Sequence, residues 1–224
     1  MISRLQYITQ DHPSKPHSQL VREACEAGIG WVQLRMKNCS ASEFLSEAKL
    51  SKTICDEFNS TLIINDNIQI AKEVKANGVH LGKNDINPTE ARKILGRNVI
   101  IGGTANTFDD LATLVEQKVD YIGLGPYQET KTKENLSPIL GVRGYIDIMS
   151  KAFEEYKNTS NNVNFPPIIA IGGIDLKDVA SLMETEIHGL AISGSLTRDF
   201  SKTSQFIGLI NQPVNTFEHV ADRR

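Results

Sequence analysis

Residues 168–174 read IIAIGGI, and whether they open a second domain or continue the first decides the fold. An apolar, β-branched run closed by two glycines has the form of a buried parallel strand ending in a tight turn. The residues before it, 157–167, KNTSNNVNFPP, are polar and suit either an interdomain linker or a surface loop. Working outward separates the two. Similar runs lie upstream at Leu5–Thr9, Trp31–Arg35, Thr61–Asn65, Val79–Leu81, Val99–Gly102 and Tyr121–Leu124, and downstream at Leu190–Ser193. Segments of helical periodicity lie between them, which is the pattern of repeated βα units. Cutting at 157–167 leaves two fragments that cannot close a sheet, whereas the whole chain gives every strand two neighbours. The expected fold class is therefore α/β, a (β/α)8 TIM barrel forming a single domain over residues 1–224, with an open doubly wound sheet as the alternative. The polar C-terminal stretch NTFEHVADRR, 215–224, is expected to be disordered.

Local signals agree. Ser40 followed by Glu43 is a capping-box pattern at the head of ASEFLSEAKLSKTICDEF, and Gly28 follows QLVREACEA where a helix would end. Composition narrows the class: 40% hydrophobic and 23% charged residues over 224 positions describe an ordinary globular chain. A formal charge of −3 offers no general attraction to nucleic acid, so an anionic ligand must be held locally. No apolar run reaches membrane-spanning length. The start, MISRLQYITQDHP, lacks a signal peptide's apolar core, so a cytoplasmic location is expected. Cys25, Cys39 and Cys55 show no paired spacing and read as reduced thiols.

Barrel active sites lie where strands end. After the second strand, alternation puts Gln33, Arg35 and Lys37 on one side if the strand extends that far, so an amide and two cations converge. Asp66 and Asp85 follow the third and fourth strands. Two carboxylates at neighbouring strand ends, facing anions, suit Mg²⁺ on a phosphate ester, although each alone also suits a turn or a helix N-cap. After the fifth strand Thr104 adds a hydroxyl, and Thr107 reads as an N-cap. The sixth strand leaves through Gly123, Gly125 and Pro126 into a loop carrying Thr130, Thr132 and Lys133, as a lid over substrate would. Glycines in IIAIGGI and in AISGS, 191–195, fall at the seventh and eighth strand ends, where barrels bind phosphate through backbone N–H groups. Trp31 and Met36 read as packing residues. His80, with no second histidine at ligand spacing, reads as a satisfied core histidine.

These strand ends describe one phosphate nest and, apart from it, a carboxylate pair with cations, hence two phosphorylated ligands. In order, QLRMK, IIND, GVHLGKND, GGTANT, DYIGLGPYQETKTK, IAIGGI and AISGS resemble the thiamine phosphate synthase family over almost the whole chain. The resemblance implies an enzyme, a transferase that joins 4-amino-2-methyl-5-(diphosphooxymethyl)pyrimidine to a thiazole phosphate and releases pyrophosphate by a dissociative route. Its implied pyrimidine diphosphate ligands are Gln33, Arg35, Lys37, Asn65, Thr104 and Lys133, with Arg35, Lys37 and Lys133 neutralising the leaving group. Asp66 and Asp85 are implied to hold Mg²⁺, and Thr130, Thr132, Gly173, Ile192 and Ser193 the thiazole phosphate. Small molecules are the implied partners, with no nucleic acid and no membrane; a homo-oligomer is left open.

Asn106 stands where many relatives carry histidine, and Lys131 and Asn135 where acidic residues are common. The competing readings are a thiazole tautomerase, which needs a titratable group that Asn106 lacks, a non-catalytic binder of thiamine precursors, and another phosphate-binding barrel isomerase. Retention of both aspartates and of the QLRMK and TKTK segments favours the synthase.

Overall fold

The computed structural model describes residues 2–130, 137–157 and 165–213. The strands are β1 (Leu5–Ile8), β2 (Trp31–Leu34), β3 (Thr61–Asn65), β4 (Gly78–Leu81), β5 (Ile100–Ala105), β6 (Tyr121–Leu124), β7 (Ile168–Ile171) and β8 (Gly189–Ile192). They pair in parallel, each with its sequence neighbour, and β8 returns to β1 to close the barrel. Tyr7 of β1 lies opposite both Val32 and Ile192. That closure excludes the open doubly wound sheet, because an open sheet leaves two strands with one neighbour each. The stretch 168–174 supplies β7, pairing with β6 and β8. Of the preceding loop, residues 158–164 lie outside the described residues, as does 215–224.

Strand alternation divides the side chains into two populations. Ile8, Trp31, Ile63, Tyr121, Ile169 and Ala191 point inward and pack together in the barrel's interior. Their sequence neighbours, such as Tyr7, Val32, Leu62, Ile64 and Leu190, point outward against the helices in the larger core. Each buried aliphatic side chain there contributes about 1.5–3 kcal/mol, so a one-residue slip of register would be costly everywhere at once.

The helices are α1 (His17–Glu26), α2 (Ala41–Glu57), α3 (Ile68–Glu73), α4 (Pro88–Leu95), α5 (Phe108–Glu116), α6 (Gly141–Ala152), α7 (Val179–Met183), α8 (Gly194–Arg198) and α9 (Thr203–Ile210). Ser40 and Glu43 form the expected capping box on α2. Thr107 does the same for α5 with Asp110 in the Glu position. Gly28, just past the end of α1, has φ of 90°, a left-handed conformation that glycine adopts without a Cβ clash.

Most strand boundaries fall within one residue of expectation, and the largest difference is at β5. β5 runs to Ala105 rather than ending at Gly102, so Thr104 stands inside the strand. The expected strand ends at Gly102, but Gly103 also pairs in the sheet, Gly102 with Tyr121 and Gly103 with Ile122. The space they leave is filled by side chains. A Cβ on Gly102 would lie 2.2 Å from the Tyr121 ring, and one on Gly103 would lie 2.4 Å from Leu114 of α5.

Candidate active site

At the carboxyl ends of the strands the barrel opens into a cavity of about 740 Å³. Gln33, Arg35, Lys37, Asn65, Asp66, Asp85, Thr104, Thr130, Gly173, Ile192 and Ser193 all line it, which is every expected site residue among the described ones. Thr132 and Lys133, like Lys131 and Asn135, lie outside the described residues. β2 ends at Leu34, one residue before Arg35, yet Gln33, Arg35 and Lys37 still face the cavity together. The backbone after β2 is held there by Thr9, whose Oγ1 accepts from the Arg35 N–H at 3.0 Å. Thr9 is in turn bonded to His17 Nδ1 at 2.8 Å, with His17 Nε2 3.2 Å from Asp11. None of Thr9, His17 and Asp11 stood out in the sequence, because Thr9 meets Arg35 only across neighbouring strands and the other two act through Thr9.

The charged half of the mouth belongs to β2–β4. Lys37 forms an ion pair with Asp66. Asp66 has φ of 62° and its N–H donates to the His80 carbonyl at 2.8 Å. The N-cap of α3 is the next residue, Asn67, whose side chain accepts from Ile70 N–H, so the capping alternative for Asp66 falls away. Asp85 does fill a turn role with one oxygen, Oδ2 accepting from Gly82 N–H at 2.7 Å. Burial and a hydrogen bond shared with the Asp66 carboxyl push the Asp85 carboxyl up from its ordinary value, against the opposing pull of the Gly82 N–H and Lys37. Two adjacent carboxyl groups, Asp66 and Asp85, provide the oxygen donors a small divalent cation takes. Among the described residues no cluster of three or more His, Cys, Asp or Glu is placed to hold a metal. A cation here would therefore complete its shell with ligand oxygens and water, which is the habit of Mg²⁺. Burial pulls the Arg35 guanidinium down from its usual value, with Asp66 and Asp11 opposing.

The other half, at β7 and β8, is built mainly from backbone and hydroxyls, with the Asp175–Arg198 pair at its edge. Gly172 and Gly173 have φ of 98° and 72°. The chain leaving β6 runs across them: Tyr127 N–H donates to the Ile171 carbonyl and Gln128 N–H to that of Gly172, each at 2.9 Å. A Cβ on Gly173 would lie 2.7 Å from the Glu129 carbonyl oxygen. These glycines thus admit the β6 loop as well as facing the cavity, a second reason for them that the sequence did not show. Asp175 Oδ1 accepts from Ser195 Oγ at 2.8 Å and ties the end of β7 to that of β8. Ser193 Oγ donates to Gln10 Oε1 at 3.1 Å. Burial pushes the Asp175 carboxyl up, but hydrogen bonds from Leu176 N–H and Ser195, together with the charges of Lys202 and Arg198, hold it below its ordinary value. Ser195 belongs to the AISGS motif without a role of its own there; Asp175 and Gln10 had no signal in the sequence beyond Asp175 following the IIAIGGI motif.

Asn106 is 8% exposed, donates to the Gly125 carbonyl and accepts from Ser137 Oγ at 2.9 Å. Its side chain is thereby committed to joining β5 to the exit of β6. His80 is a satisfied histidine as expected, bonded to Tyr121 and Thr104, but it also lines the cavity. Trp31, 1% exposed, packs edge-on against Tyr121 with ring centroids 4.9 Å apart.

A closed parallel barrel with a polar cavity at its carboxyl end, cations and paired carboxylates on one side and a glycine-framed backbone on the other, defines a barrel enzyme for anionic small molecules. The model of the thiamine monophosphate synthase family matches residues 5–196. Thiamine-phosphate synthase of Flavobacterium johnsoniae is 44% identical over 90% of this chain and 92% of its own length. That of Phocaeicola vulgatus is 44% identical over 87% and 90%. Among solved structures, a thiamine phosphate pyrophosphorylase from Pyrococcus furiosus superposes with a TM-score of 0.76 at 25% identity, covering 92% of this chain and 95% of the other. The chain belongs to the thiamine monophosphate synthase family, and it is an enzyme of thiamine biosynthesis. Among the described residues no helix is long and apolar enough to cross a membrane.

Proposed function

We propose that the protein joins 4-amino-2-methyl-5-(diphosphooxymethyl)pyrimidine to a thiazole phosphate, with Mg²⁺, releasing pyrophosphate. The observation that carries this reading is the division of one cavity into a charged half at β2–β4 and a backbone-and-hydroxyl half at β7–β8. Two anionic groups of different kinds are accommodated by two different chemistries.

Gln33, Asn65 and Thr104 hold the pyrimidine, while Arg35, Lys37 and Lys133 take the diphosphate. Arg35 suits it because a guanidinium grips phosphate with two N–H groups, and Lys37 adds a compact charge. Asp66 and Asp85 would hold Mg²⁺, which supplies Lewis-acid neutralisation of the departing pyrophosphate. The Lys37–Asp66 ion pair puts a cation beside that carboxylate, so Lys37 is positioned to follow the leaving group. Thr130, Thr132, Gly173, Ile192 and Ser193 hold the thiazole phosphate. α8 has only five residues, so hydroxyls and backbone N–H groups do this rather than a helix dipole.

Breaking the C–O bond to pyrophosphate leaves a pyrimidinylmethyl cation that the amino-substituted ring stabilises. The residues' main task is to stabilise charge on the leaving group and to hold the thiazole nitrogen close to the forming cation. Neither task needs a general acid or base. Asn106, whose amide is occupied structurally, offers no proton shuttle, and this favours the synthase over a tautomerase. A cytoplasmic location accords with small soluble substrates. The test is to incubate purified protein with both substrates and measure products. Equimolar thiamine phosphate and pyrophosphate, abolished by chelation of Mg²⁺, is the expected result; folded protein that binds both substrates and forms no product would defeat the proposal.

A further inference from the structure

Beneath the cavity, a chain of polar side chains crosses the barrel's interior. Gln33 Nε2 donates to Gln6 Oε1 at 3.4 Å, and Gln6 Nε2 donates to the Tyr121 hydroxyl at 3.5 Å. The same hydroxyl lies 3.0 Å from His80 Nδ1, and His80 Nε2 lies 2.9 Å from Thr104 Oγ1. Gln33, His80 and Thr104 line the cavity; Gln6 and Tyr121 do not. The two ends of the chain are thus in the pyrimidine site of the proposed function, on which this inference rests, while Gln6 and Tyr121 lie behind the cavity wall.

We infer that Tyr121 is a positioning residue whose hydroxyl sets the direction of this chain, holds His80 as the Nε2–H tautomer, and so presents Thr104 to the pyrimidine substrate as a hydrogen-bond donor. A phenol has one hydrogen. With Gln6 donating to its oxygen, that hydrogen goes to His80 Nδ1. His80 then carries its own hydrogen on Nε2 and donates it to Thr104 Oγ1. The threonine oxygen is occupied as an acceptor, and its hydrogen is left to donate into the cavity. Reversing the chain would reverse the outcome, making Thr104 an acceptor. An aminopyrimidine edge offers ring nitrogens that accept and an amino group that donates, so the direction of the chain selects which of them Thr104 reads.

The barrel is built to hold the hub still. Tyr121 is 1% exposed, and burial pushes its phenol well above the usual range, so the hydroxyl keeps its hydrogen. Trp31 packs edge-on against the ring at 79°, and the His80 ring lies 5.4 Å from it at 34°. Gly102 leaves room for the phenol, and a Cβ on Gly123 would come within 3.1 Å of His80 Cε1. Because the ring is fixed by packing, Tyr121→Phe removes the hydroxyl and little else.

The experiment is ring-¹⁵N NMR of histidine-labelled protein, with the His80 signal assigned by its loss in His80→Gln, followed by steady-state kinetics of Tyr121→Phe. Wild-type His80 is expected as the Nε2–H tautomer, and Tyr121→Phe should convert it to a mixture. KM for the pyrimidine diphosphate should rise about three- to tenfold, the scale of one misdirected hydrogen bond, with KM for the thiazole phosphate unchanged. Should Tyr121→Phe fail to fold, Gln6→Met removes the amide that orients the phenol and should give the same tautomer change. An Nδ1–H tautomer in the wild type would overturn the inference. So would an unaltered tautomer in the variants, or equal changes in both KM values, which would mark a purely structural role. A folded wild type without turnover would defeat the functional reading instead, while the NMR result still decides the direction of the chain.

Discussion

The two halves of the cavity mouth hold anions by different means, and they respond differently to change. At β2–β4 the work is done by side chains: Arg35, the Lys37–Asp66 pair and Asp85. At β7–β8 it is done mainly by backbone shape, through Gly172 and Gly173 in left-handed conformations and a β6 loop laid across them, with Arg198, paired to Asp175, the charged side chain on that side. A charge can be removed from the first half while its backbone stands. In the second half the backbone is itself the binding element, so damage to binding and damage to folding arrive together.

The largest expected effect comes from Asp85→Asn. The amide keeps an oxygen to accept the Gly82 N–H, so the turn survives, but half of the carboxylate pair is lost. Turnover should fall by at least about a hundredfold, the scale of removing one group that stabilises transition-state charge, with the melting temperature within a few degrees of wild type. Near-normal Mg²⁺-dependent rates in this variant would break the assignment of the charged half. Next is Gly173→Ala, where the new Cβ would meet the Glu129 carbonyl oxygen at 2.7 Å in a backbone with φ of 72°. A cost of about 1–3 kcal/mol in stability is expected, seen as a lower melting temperature, together with a raised KM for the thiazole phosphate. An unchanged melting temperature would mean the loop gives way easily, and the two halves would then be less distinct than proposed.

Mg²⁺ alone sharpens the contrast without any turnover. At ten times its Kd a cation that binds only folded protein stabilises by about 1.4 kcal/mol, so added Mg²⁺ should raise the melting temperature of wild type and Gly173→Ala but not of Asp85→Asn. Equal stabilisation of all three would place the cation elsewhere. The smallest effect is expected from Ser193→Ala. Its hydroxyl donates to Gln10, and its loss should raise KM for the thiazole phosphate by less than about tenfold, because the backbone that forms the rest of the cradle is untouched.

The same contrast explains what the sequence disclosed. Charged residues at strand ends announce themselves by type, so Arg35, Lys37, Asp66 and Asp85 were legible once the βα rhythm had located the strand ends. Period and apolar runs gave the barrel for the same reason, since each strand must bury two faces. Less legible were glycines with more than one duty. Gly102 and Gly103 looked like the end of β5 but are paired strand residues that make room for Tyr121 and Leu114. Gly172 and Gly173 looked like a phosphate turn alone, although the β6 loop also requires them. Least legible were residues whose role depends on a partner far away in sequence. His80, Tyr121 and Gln6 form one chain only because barrel closure brings β1, β4 and β6 to a common interior, and Thr9 supports Arg35 only because β1 lies beside β2.

The most direct test of two anion sites in one cavity is a crystal structure of the protein with thiamine phosphate, pyrophosphate and Mg²⁺. Pyrophosphate and the cation should lie against Arg35, Lys37, Asp66 and Asp85, with the single phosphate against Gly173, Ile192 and Ser193. Both phosphate groups on the same side of the cavity, or the cation away from the two aspartates, would contradict the account.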